Sequence, residues 1–166
     1  MSDIRRSSLL GTIALVSVGC ATVALLSSAA CGPVLGDERP TGDVTSAIED
    51  GDMELLESLV EAGVNINAVR DGISGYTPLH EAADAGNVEA IEFLIASGAD
   101  TERMSTAGVT PLLLAIGAGH EDAALALING GADVDRPDGN GTTPLAYARA
   151  LGRSRVVAEL QARRAR

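Results

Sequence analysis

The sequence predicts an all-α solenoid of about four helix-turn-helix repeats with β-turn fingers, preceded by an apolar N-terminal signal or anchor segment. Three observations carry that reading. The phrase Thr77-Pro78-Leu79-His80 returns as Thr110-Pro111-Leu112-Leu113 and as Thr143-Pro144-Leu145-Ala146, each time 33 residues on. A glycine follows each of those threonines nine residues later, at Gly86, Gly119 and Gly152. Gly98-Ala99-Asp100 and Gly131-Ala132-Asp133 keep the same period. A fixed period of this length marks two-helix units that cannot bury their apolar faces alone and so stack.

Composition narrows the function classes. The 166 residues leave room for one domain plus an extension. Tyr76, Phe93 and Tyr147 are the only aromatics, so the core must be built from Ala, Leu, Ile and Val. Twenty-three acidic residues face 12 arginines and no lysine, a net charge of −11. That balance argues against nucleic acid, which needs a basic face and, for single strands, stacking platforms. The charge is uneven: Asp37 to Asp138 holds 21 acids and four arginines, whereas Gly139 to Arg166 holds six arginines and only Glu159. This pattern describes a solvated array with a basic final cap, or a basic handle for an acidic partner or membrane.

Residues 1–31 form the predicted signal peptide or membrane anchor. Arg5-Arg6 precede an uncharged apolar run from Leu9 to Ala30, 22 residues long. A basic start, an apolar stretch and small residues at its end describe an export signal, and the run is also long enough to span a bilayer. The two arginines place the rest of the chain on the far side of the membrane. Cys20 and Cys31 are the only cysteines, so the repeats hold no thiol. Ser28-Ala29-Ala30-Cys31-Gly32 is similar to the lipobox of bacterial lipoproteins, which implies acylation of Cys31; Ser28 departs from the usual leucine. Plain cleavage after Ala30 and an uncleaved helix are the alternatives. Residues 32–42 read as linker.

The repeat domain spans 43–166, in units of about 43–75, 76–108, 109–141 and 142–166. In the second unit Thr77 can cap a helix that opens on Pro78 and stops at Gly86. A second helix runs from about Val88 to Ala96, with Ile91, Leu94 and Ile95 as its buried stripe. The third unit repeats this with Leu112, Ala115 and Ile116, then Ala124, Leu127 and Ile128. The first unit replaces the threonine phrase with a polar helix (Thr45, Ser46, Glu49, Asp50), followed by a stripe of Leu55, Leu56, Leu59 and Val60. Its finger carries two extra residues. The fourth unit is expected to stop inside its second helix, after Val156, Val157 and Leu160.

The Thr-Pro-Leu-His phrase at this period resembles the ankyrin repeat family. The resemblance implies that His80 is a hydrogen-bonding strut between neighbouring loops and that His120 opens a second helix. It also implies a protein-binding surface made of finger tips and exposed first-helix faces. Carried over position by position, that surface comprises Glu49 and Asp50; Ile73, Ser74, Tyr76, Asp84 and Ala85; Ser105, Thr106, Val109, Gly117 and Ala118; and Asn140, Thr142, Ala150 and Leu151. Ile73 and Tyr76, on the enlarged finger, stand out as an anchor.

No catalytic spacing is evident, so the chain reads as a non-enzyme without cofactor. Two histidines offer no zinc set, and Asp133, Asp135, Asp138 and Asn140 lack the closing glutamate of a calcium loop. Asn65, Asp100 and Asp133 are expected to bond local backbone. Arg153 and Arg155 fall in the first turn of the last helix, against its dipole, with Glu159 four residues beyond Arg155. The expectation is a monomeric protein-binding module, exported and tethered at a bacterial membrane, in the periplasm or at the cell surface. The alternatives are a secreted soluble effector or inhibitor, and an accessory factor protecting a periplasmic enzyme.

Overall fold

Each helix boundary follows from a local signal. In the computed structural model, which describes residues 41–70 and 73–165, eight helices and no strand are found among the described residues. They are α1 (Thr41–Asp50), α2 (Met53–Glu61), α3 (Pro78–Ala85), α4 (Val88–Ala96), α5 (Pro111–Ala118), α6 (Glu121–Asn129), α7 (Pro144–Ala150) and α8 (Ser154–Arg164). All lie in one compact unit, Asp37–Arg166. Helices α3, α5 and α7 each open on a proline, where the missing backbone donor costs nothing. Among the second helices, Asp52 caps α2 by accepting the Leu55 N–H at 3.0 Å. Asn87 caps α4 by accepting the Ala90 N–H, also at 3.0 Å.

The helices form two layers. The first helices pack in sequence, α1 on α3 on α5 on α7, and the second helices make a parallel row behind them, α2, α4, α6 and α8. Between the layers lie Leu79, Ile91, Leu94, Leu112, Ile116, Leu127 and Leu160, all essentially inaccessible, with alanines where the helices approach most closely. Burying each large aliphatic side chain contributes about 1.5–3 kcal/mol.

The terminal repeats depart from the sequence expectation. Thr45 is buried rather than facing outward. At 3.6 residues per turn, Val44, Thr45, Ala47 and Ile48 share one arc of α1, and Ser46, Glu49 and Asp50 share the opposite one. In α2 only Leu56 is buried; Leu55 is 41% exposed, and Leu59 and Val60 are half-buried. Among the described residues α2 is packed chiefly by α1 and α4, which leaves much of its stripe uncovered. At the other end α8 is not cut short: its 11 residues exceed the nine of α4 and α6.

The fingers stack as well. One backbone pair closes each: Arg70 N–H to Tyr76 O at 2.9 Å, Ser105 N–H to Val109 O at 2.9 Å, and Asp138 N–H to Thr142 O at 3.0 Å. The two extra residues therefore lie between Arg70 and Tyr76, in the loop that carries Ile73. Thr106 donates its N–H to Ser74 O (3.0 Å), and Gly139 donates to Gly108 O (3.0 Å), so consecutive tips are joined backbone to backbone. Gly108 is required there. Its φ is +71°, and a Cβ would stand 2.7 Å from the Gly139 backbone.

Candidate functional site

The side chains that tie one repeat to the next also decide which surface is left over. His80 is fully buried at the third position of α3. Its Nδ1 faces the Thr77 N–H (3.2 Å), a group that can only donate, so Nδ1 is the lone-pair nitrogen; the Thr77 hydroxyl donates to it as well (2.8 Å). Nε2 then carries the hydrogen and donates to the Val109 carbonyl in the next finger, at 3.1 Å. The expected strut is present, and the ring joins the Thr77 side chain in a reciprocal capping box at the start of α3. By contrast, Thr110 and Thr143 accept the Leu113 and Ala146 N–H groups at 3.4 Å. Burial holds the His80 imidazole below its usual pKa, with the Val109 bond opposing and Arg103 adding to the depression.

A second tie repeats at the start of the outer helices. Asn87 Nδ2 donates to Ile48 O (3.4 Å) in the preceding repeat. The His120 ring rests on Gly86, where a Cβ would stand 2.6 Å from Cγ, and the Arg153 guanidinium rests on Gly119, where a Cβ would stand 2.5 Å from Nη2. Arg153 therefore has a packing role that its unfavourable place at a helix start concealed. Its Nε is buried without an acceptor, which is the cost of that seat. Arg155 pairs with Asp122 at 3.0 Å and not with Glu159, which pairs with Arg163 at 3.0 Å. Arg164 pairs with Asp135 at 2.8 Å. Much of the basic cap is thus already committed within the chain.

The fingers are shaped by short side-chain bonds. Asn65, Asp100 and Asp133 each accept the N–H two residues on, at 3.0, 2.9 and 2.9 Å, as expected of turn-forming residues. Asp138 accepts from Thr142 N–H (2.7 Å) and Asn140 N–H (2.9 Å), and these bonds hold its carboxyl below the ordinary value. Among the described residues no three His, Cys, Asp or Glu side chains converge as a metal site would need.

The sequence profile described as ankyrin repeats (3 copies) matches residues 44–138 and 98–165 of the chain. The chain belongs to the ankyrin repeat family. As such it is a protein–protein interaction module. It is 41% identical over 54 residues to myotrophin of Xenopus tropicalis (32% of this chain, 44% of that protein). It is 36% identical over 56 residues to ankyrin repeat domain-containing protein 40 of Mus musculus (34% and 15%). To the 2-5A-dependent ribonuclease of Mus musculus it is 35% identical over 75 residues (43% and 10%). The chain therefore spans less than half the length of these relatives. The ribonuclease match is confined to a tenth of that enzyme and implies no catalysis here.

On this ankyrin array the predicted surface residues divide. Ile73 is 85% exposed at the tip of the enlarged finger. Tyr76, its proposed fellow anchor, is half-buried and stacks on His80, ring centroids 5.3 Å apart and 11° from parallel. Burial, and the Asp84 and Glu81 carboxylates, push its phenol pKa up. Ser105 is buried, a correction to its expected exposure: its hydroxyl accepts the Val109 N–H at 3.2 Å and its carbonyl accepts the Gly108 N–H, so it shapes the turn. Thr106 is exposed, but its hydroxyl is engaged, donating to Ile73 O at 2.7 Å. Ser74, Val109 and Thr142 are half-buried; Asn140 is exposed. Glu49, Asp50, Asp84, Ala85, Gly117, Ala118 and Ala150 are all exposed on the first helices, as is Leu151 at the C-terminal cap of α7.

Position-by-position reading missed one row. Glu81, Leu114 and Tyr147 recur at the 33-residue period one turn before Asp84, Gly117 and Ala150, and that offset is the signal that reveals them. Leu114 and Tyr147 wall a groove of about 510 Å³ between repeats three and four, with Val109, Leu113, Gly117 and Asp138. A second depression of about 540 Å³ lies between the first fingers, beside Arg70 and Arg103. Arg70 is engaged there with Glu81 (3.3 Å) and Glu49 (3.6 Å). Among the described residues no helix is long and apolar enough to cross a membrane. The apolar run and Cys31 lie outside the described residues.

Proposed function

We propose that this ankyrin array is a non-enzymatic docking module, exported across a bacterial membrane and tethered there by its N-terminus, with lipid on Cys31. Its partner protein sits on the concave face formed by the fingers and the first helices. The observation that carries the docking reading is the set of exposed positions repeated along stacked first helices: Glu49, Asp84, Gly117 and Ala150 in one row, Asp50, Ala85, Ala118 and Leu151 in the next. Tethering is supported by the leader, in which Arg5-Arg6, 22 uncharged residues and Ser28-Ala29-Ala30-Cys31 stand in the order an exported lipoprotein requires.

Two measurements test these claims separately. Partner capture from the native host should be lost with Glu49→Arg/Asp84→Arg/Leu114→Arg and kept with Glu57→Arg/Glu92→Arg, which changes exposed residues of the second helices. The reverse pattern would move the docking surface to the other side. For the tether, intact-mass analysis should show acylglyceryl on Cys31 and a chain that partitions with membranes. An unmodified N-terminus after Ala30 would instead favour a released soluble effector.

A further inference from the structure

The concave face is divided into two chemistries, and the division falls between α3 and α5. Over α1 and α3 the exposed first-helix residues include Glu49, Asp50 and Asp84, with the half-buried Glu81 beside them; the guanidinium of Arg70 is set against Glu49 and Glu81. With Arg103 lining the adjacent depression, the four carboxylates still outnumber the cations beside them. Over α5 and α7 the corresponding places are taken by Leu114, Gly117, Ala118, Tyr147, Ala150 and Leu151, none of them charged.

The groove opens at a junction that lacks the histidine strut. Between repeats two and three the His80 ring spans to the Val109 carbonyl, and Tyr76 stacks on it. Between repeats three and four Leu113 stands in the histidine place and cannot make that bond, and the Thr142 carbonyl is met by Asp138 N–H alone. Gly117 deepens the groove, because it lets the Tyr147 ring lie against α5; a Cβ there would be 3.0 Å from the phenol oxygen.

We infer that this face takes a partner segment carrying an apolar anchor residue beside a basic cluster. The anchor enters the groove walled by Leu114, Gly117 and Tyr147, and the cations lie over Glu49, Asp50 and Asp84. Charge complementarity selects this occupant over a purely apolar one, since desolvating exposed carboxylates beside an apolar partner is unfavourable. Packed helices are about 8–10 Å apart, so the centres of the two halves are separated by roughly two such steps. An extended segment at ~3.3 Å per residue covers that with about five residues. The inference rests on the concave face being the docking surface, and adds the chemistry of what docks.

A synthetic peptide with a Leu-Leu pair, a Gly/Ser spacer of about five residues and a Lys-Arg-Lys run tests it, by fluorescence anisotropy against the full-length chain in detergent. Replacing Leu-Leu by Ser-Ser, or Lys-Arg-Lys by Glu-Glu-Glu, should each weaken binding by roughly tenfold or more, the scale of an interface anchor. Gly117→Leu should lower affinity for the parent peptide to that of the Ser-Ser version. Asp84→Arg should remove the salt dependence that an exposed ionic contact confers. Both positions are exposed, and unchanged melting of the variants checks that the fold is kept; Leu114→Ser is the second groove variant. Absence of binding by the parent peptide, or equal binding of all three peptides, overturns the inference. So does unchanged binding to both groove variants. A pattern of host-partner capture that still follows the concave substitutions would leave the wider docking reading standing, so the two failures are distinguishable.

Discussion

Replacing Leu94 by alanine is expected to cost about 2–5 kcal/mol, the range for deleting a fully buried leucine and leaving a cavity. Leu94 is inaccessible to solvent in α4, which packs against α3 and α6. For a domain of this size the loss corresponds to a melting temperature lower by roughly 10–20 °C, a large fraction of a typical total stability of about 5–15 kcal/mol. Two other leucines serve as controls. Leu59 holds the same place in α2 but is half-buried, so Leu59→Ala should cost less. Leu55→Ala, at a 41% exposed site, should fall within about 0.5–1 kcal/mol of the parent. Denaturant unfolding of the three variants decides the matter. Equal losses would show that the end repeat is covered as fully as the middle ones, contrary to the burial described here.

The second expected result concerns His80. His80→Ala leaves the Thr77 N–H and hydroxyl and the Val109 carbonyl without their side-chain partner, and opens a cavity at a fully buried site. Together these should cost about 2–4 kcal/mol. The same ring makes stability depend on pH. Its folded pKa lies below the ordinary 6.5 because burial disfavours the imidazolium. The unfolded chain therefore binds the proton first as pH falls, so the His80 contribution is fully present above about 6.5 and is lost progressively as pH drops toward and through the lower folded value. The melting temperature of the parent should decline between about pH 7.5 and 5.5, and that of His80→Leu should decline less. Leucine is the informative replacement because Leu113 already occupies the equivalent place in the next repeat, buried and uncharged. Identical slopes for parent and variant would remove His80 as the titrating strut.

What the sequence made legible was everything that acts within a few residues. The proline openings of α3, α5 and α7, the left-handed stops at Gly86 and Gly119, and the turns made by Asn65, Asp100 and Asp133 all involve partners two to four positions away. The 33-residue period then fixed which helices stack, because identical units bury identical faces. The strut was legible too, through the Thr-Pro-Leu-His phrase, since His80 reaches a carbonyl at a fixed place in the next unit.

Only the tertiary structure decided what happens where the period breaks. Leu55 and Leu56 look alike in sequence, but one is exposed and the other buried, because among the described residues α2 is packed chiefly by α1 and α4. Ser105 and Thr106 are adjacent and both polar; the first turns into the finger and the second faces outward, a choice made by the stacked tip of the preceding finger. Arg153 and Arg155 stood against the helix dipole, with only Glu159 offered to Arg155, until Gly119 and Asp122, more than thirty residues back, supplied their partners. The groove beside Leu113 likewise lies between two repeats that no histidine strut joins, which no single repeat records. Local bonding is written in neighbouring letters. Burial, pairing and open space depend on which distant surface arrives to cover a residue, and that is settled only when the units stack.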